Sequence, residues 1–76
     1  LFRSRRYVLS IAAYRQFLIA FPSDAAVPLV LFFLGKAYQK NGELDKALSV
    51  LQRITSQYPS HYIANQSRLL IRAINN

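Results

Sequence analysis

Phe21-Pro22-Ser23 recurs as Tyr58-Pro59-Ser60, 37 residues later. The residues ahead of each triplet match as well. Ile11, Tyr14 and Phe17 stand above Leu48, Leu51 and Ile54 at the same offset, and Ser10 stands above Ala47. Self-similarity at this length marks one supersecondary unit stacked on a copy of itself, because such a unit cannot bury its apolar face alone. No period-two alternation appears anywhere, while apolar residues recur at three- and four-residue spacing. The units are therefore expected to be helical and the fold all-α.

Four helical stretches are expected. The first covers residues 7–20, where Val8, Ile11, Ala12, Leu18 and Ile19 recur with Arg15 and Gln16 between them. Phe21-Pro22 ends it, since a residue before proline is pushed out of helical geometry. The second lies between residues 24 and 40, with Ser23 or Asp24 as N-cap. Pro28 fits an early turn rather than a helix interior, so the second helix is expected either to tighten there or to begin properly at that point, and Asn41-Gly42 is a stop signal. The third, residues 44–57, has Glu43 and Asp45 at its positive end and closes on Tyr58-Pro59. The fourth, residues 61–74, has Ser60 as the expected cap and a stripe of Ile63, Ser67, Leu70, Ile71 and Ile74. Short loops between the helices imply antiparallel neighbours.

At 76 residues the chain is one small domain. A globule of this size buries only about 60% of its unfolded surface. Yet 53% of the residues are hydrophobic and 17% charged. Either the helices are unusually well covered or an apolar face lacks its neighbour. The absence of cysteine excludes disulfides and thiolate metal sites. The longest apolar run, residues 27–34, has eight residues, against about 20 for a membrane-spanning helix. The net charge of +7 fits a nucleic acid, an anionic lipid or an acidic protein as partner, or serves only solubility.

Residues 31–59 resemble a tetratricopeptide repeat. The signature places a large residue, Leu-Gly and Tyr on a first helix, then Ala, a large residue and Pro on a second. Here these are Leu31, Leu34-Gly35, Tyr38, Ala47, Leu51 and Pro59, with Gly42 at the turn. Gly35 and Ala47 are small so that paired helices can approach, and Leu31, Leu34, Tyr38 and Leu51 fill the seam. The usual period is about 34 residues; the extended 37-residue spacing here resembles repeats of bacterial envelope proteins, the periplasmic Tol-Pal-associated repeat protein and the barrel-assembly lipoprotein of the outer membrane. The resemblance implies an antiparallel helix-turn-helix solenoid, right-handed, and a scaffold that binds a protein or peptide; the narrower one implies a periplasmic or envelope setting. With the period as a ruler, residues 1–22 correspond to the second half of a truncated repeat, 24–60 to a complete repeat and 61–76 to a C-terminal capping helix. Arg68 and Arg72 fall opposite the seam positions Leu31 and Gly35, where stacking is expected to stop. The chain reads as a fragment of a longer array.

In such arrays the first helices line the concave groove. Carried over residue by residue, the groove face is Leu29, Phe32, Lys36, Gln39 and Lys40, with Gln66, Leu69 and Ala73 equivalent on the last helix. An aromatic, two lysines and amides on one helical face suit an acidic peptide, against the alternative that Leu29 and Phe32 simply pack on the neighbouring repeat. His61 is expected near a cap without metal partners, and Asp24, Glu43 and Asp45 at helix starts, where capping or dipole roles suffice. No catalytic, cofactor or metal site is expected. The basic run Arg3-Ser4-Arg5-Arg6-Tyr7, beside Phe2, is read as a solvated turn in preference to a nucleic-acid patch. Self-association through the unpartnered first helix is a further expectation.

Overall fold

The computed structural model describes residues 4–76. Four helices follow one another: α1 Arg5–Ala20, α2 Val27–Lys40, α3 Leu44–Gln57 and α4 Ile63–Asn75. No strand occurs among the described residues. Leu1, Phe2 and Arg3, the last of which begins the basic run, lie outside them. Each helix packs on the next, and α2 also touches α4. Gly35 faces Leu51, Tyr38 clusters with Ala47 and Val27 with Ile54, so α2 and α3 run antiparallel. The fold is the expected all-α helical-repeat stack, a slab of 35 × 33 × 15 Å.

The core lies along the seam between α2 and α3. Leu31, Leu51, Ile54 and Ala47 are fully buried. Val27, Leu31, Leu51, Ile54, Ile63 and Ala64 form one cluster, and Ile11, Leu34, Ala37, Tyr38 and Ala47 a second. A Cβ on Gly35 would lie 2.8 Å from Leu51 Cγ, so glycine is what lets α3 approach. Gly42 takes φ +82°. Its N–H donates to the Gln39 carbonyl and that of Glu43 to the Tyr38 carbonyl, a Schellman closure that needs a left-handed residue.

The 37-residue echo holds at the level of single hydrogen bonds. Phe21 and Tyr58 end α1 and α3 alike, each N–H donating 2.8 Å to the carbonyl four residues back. The carboxylate of Asp24 accepts from the Ala26 N–H at 2.8 Å, and at the equivalent place Nδ1 of His61 accepts from the Ile63 N–H at 3.1 Å. These bonds decide between the two expected starts of α2 and correct the expected start of α4. The residues from Asp24 to Ala26 form a turn, not a first helical turn, and α2 begins at Val27 with Pro28 in its opening turn and no side-chain cap. Ser60 does not cap α4; the adjacent His61 supplies the acceptor instead. At the front of the chain, Oγ of Ser4 accepts from the Arg6 N–H at 3.2 Å, which carries α1 back to Arg5.

Candidate functional site

Phe32 and Lys36 lie one turn apart on α2 and so share a face. Gln66, Leu69, Leu70 and Ala73 keep the same spacing on α4. Because α2 meets α4 across the stack, these side chains line one concavity of about 300 Å³. Lys36 Nζ stands 5.7 Å from the Phe32 ring centroid, a cation–π distance. Leu69 is 57% exposed and offers the groove a free apolar side chain. The surface is therefore an apolar trough with a cation on one lip and an amide on the other.

The remaining expected groove residues divide. Leu29 is half-buried and, like part of Phe32, packs on the main core cluster. Gln39 is half-buried beside the α2 stop and does not border the α2/α4 concavity. Lys40 turns to a different concavity of about 180 Å³ between α1 and α2, lined by Arg6, Tyr7, Tyr14, Phe33, Lys36 and Lys40. Phe33 is not among the residues that the repeat pattern assigns to the groove. It is 46% exposed and stacks on Tyr14 with ring centroids 6.3 Å apart. The spacing Phe33, Lys36, Lys40 marks a second stripe on α2 beside the groove face. On its other side α1 carries a third hollow, of about 380 Å³, lined by Val8, Ile11, Ala12 and Ile19 among others.

The acids and the histidine hold turns and helix ends. Glu43 accepts from Asn41 Nδ2 at 2.8 Å and pairs with Lys46 at 3.1 Å. Asp45 sits in the first turn of α3, where the helix dipole favours a negative charge. Asp24 and His61 hold the two matching turns. No group of three metal-capable side chains occurs among the described residues, and no helix among them is long and apolar enough to cross a membrane. Arg68 and Arg72 are exposed, and Arg68 donates to Asn65 Oδ1 at 2.7 Å.

No curated protein and no solved structure matches the chain. Residues 30–61 match the family model of the tetratricopeptide repeat, a span that takes in most of α2, the Gly42 turn and all of α3, and it is over this helical pair that the chain is similar to that family.

Proposed function

We propose that the chain is a protein-interaction module that docks a partner segment in the groove between α2 and α4, without catalysis. The observation that carries this reading is the convergence of Phe32 and Lys36 with Gln66 and Leu69 around one trough, although the two pairs come from different helices 30 residues and more apart in sequence. The tetratricopeptide match over residues 30–61 supports it, since arrays of such repeats present extended concave binding surfaces. A trough with apolar floor and mixed polar rim suits a short peptide laid across it. An envelope setting rests only on the 37-residue spacing; cell fractionation would test it.

A peptide selected from a displayed library against the whole chain provides the test. Leu69→Glu and Phe32→Ala are each expected to weaken that peptide about tenfold or more while the helical circular dichroism is kept. Binding left intact by both variants refutes the groove. Salt separates this reading from a polyanion module: nucleic-acid affinity falls linearly with log salt, whereas a peptide seated on Phe32 and Leu69 keeps most of its affinity.

A second reading is association with another copy through α1, favoured by the 48% and 79% exposure of Val8 and Ile19. Sedimentation across concentration tests it, and a monomer at every concentration disposes of it.

A further inference from the structure

The hollow between α1 and α2 differs in kind from the α2/α4 trough. Its floor is the Phe33–Tyr14 ring pair, with Phe32 edge-on to Phe33 at 6.2 Å. Its rim carries three cations: Arg6 from the first turn of α1, and Lys36 and Lys40 from the end of α2. All three are exposed, and among the described residues none is paired with an acid. The acids are engaged elsewhere. Asp24 holds the turn before α2, Glu43 serves Asn41 and Lys46, and Asp45 lies in the first turn of α3. Tyr7, Ser10 and Tyr14 bring hydroxyl groups to a wall that Phe33 and Ala37 complete. The site thus couples a half-exposed ring floor to uncompensated positive charge.

We propose that this hollow is a second binding site, for an acidic segment of a partner protein in which one aromatic side chain is flanked by carboxylates. The ring would lie on Phe33 and Tyr14, where aromatic pairs gain from offset stacking, and the carboxylates would face Arg6, Lys36 and Lys40. Volume and charge layout select this occupant. At about 180 Å³ the hollow is smaller than the roughly 300–1,000 Å³ of small-molecule pockets and has room for about one side chain. A nucleic-acid track needs a basic groove several nucleotides long. Here Arg5 adjoins Arg6 at the start of α1, but Arg15, Lys46 and Arg53 border a separate hollow lined by α1, α2 and α3 and Arg68 and Arg72 lie on α4, so the charge does not run on as one long stripe. The inference does not rest on the α2/α4 trough, with which it shares only Lys36 as a cation.

The test is an amide-resolved NMR titration of the whole chain with the blocked peptide Glu-Asp-Phe-Asp-Glu. Shifts are expected to gather at Tyr7, Tyr14, Phe33 and Lys40. The double variant Arg6→Gln/Lys40→Gln should weaken the peptide about three- to tenfold, the size expected of two rim charges, and Arg6→Lys/Lys40→Arg should restore it. The neutral peptide Gln-Asn-Phe-Asn-Gln should bind at least as weakly as the acidic peptide binds the double variant. Leu69→Glu, which disables the other trough, should leave this titration unchanged, so that the two readings fail separately. Absence of binding at millimolar peptide, shifts centred away from α1 and α2, equal binding of the neutral peptide, or tighter binding of an eight-nucleotide oligothymidylate at the same residues would each overturn the proposal.

Discussion

Helices α1 and α3 occupy the same register of the 37-residue echo, yet they are buried very differently. Leu51 and Ile54 of α3 are fully buried, and Ala47 with them. Their counterparts Tyr14, Phe17 and Ser10 on α1 are only half-buried. The difference comes from neighbours. Helix α3 is held between α2 and α4, whereas α1 packs on α2 alone among the described elements. A repeat sequence prepares a helix to be covered on two sides; the adjoining elements decide how much of that is realised.

The largest expected effect tests that contrast directly. Leu51→Ala should cost about 2–5 kcal/mol, and with roughly 4–8 °C of melting temperature per kcal/mol in a domain this small it should bring the chain close to unfolding. Tyr14→Ala, at the same place in the echo, should cost only about 1 kcal/mol, within the range of ordinary substitutions. Equal losses in urea denaturation would break the comparison. Gly35→Val comes next. The new branches meet Leu51 and Val50, and overpacking of about 1–3 kcal/mol is expected, read from the same denaturation midpoints.

The matching turns give a finer test. His61→Ala removes the acceptor for the Ile63 N–H and should cost about 0.5–1 kcal/mol, as loss of a helix-start acceptor does. His61→Asp copies what Asp24 does 37 residues earlier and should keep most of the stability. If Asp is no better than Ala, the two turns are alike in shape but not in energetics. Smallest of all, Ile19→Ser should change stability by no more than about 0.5 kcal/mol, because the side chain has so little to lose.

The sequence is most legible where one residue type has one physical use. Leu31, Leu34, Tyr38 and Leu51 at their spacing spell a seam, and Gly35 and Ala47 points of close approach; all of them are buried there. The stop at Asn41-Gly42 is equally plain. Helix starts are less so, because several short polar side chains compete for the same free N–H groups. Ser23 and Asp24 both qualify as caps, and the Asp24 turn to Ala26 delays α2 to Val27. The capping use of His61 is hard to foresee because the acceptor there is an imidazole nitrogen, a type seldom used that way. On the surface, the repeat pattern puts Phe32, Lys36, Gln66 and Leu69 on one face, and they line one trough. It does not separate Lys40 from them or single out Phe33, since their hollow depends on how α1 lies against α2, which helical spacing on α2 alone does not reveal.

The order of contacts also bears on how fast this molecule forms. Apart from the small touch of α2 on α4, every helix packs on its immediate successor. Little chain must be closed into loops before a contact is made, and proteins of such low contact order fold in microseconds to milliseconds. The α2–α3 hairpin, which carries the tightest seam and the short Gly42 turn, is the natural place for the process to begin, with α1 and α4 added to a surface already present.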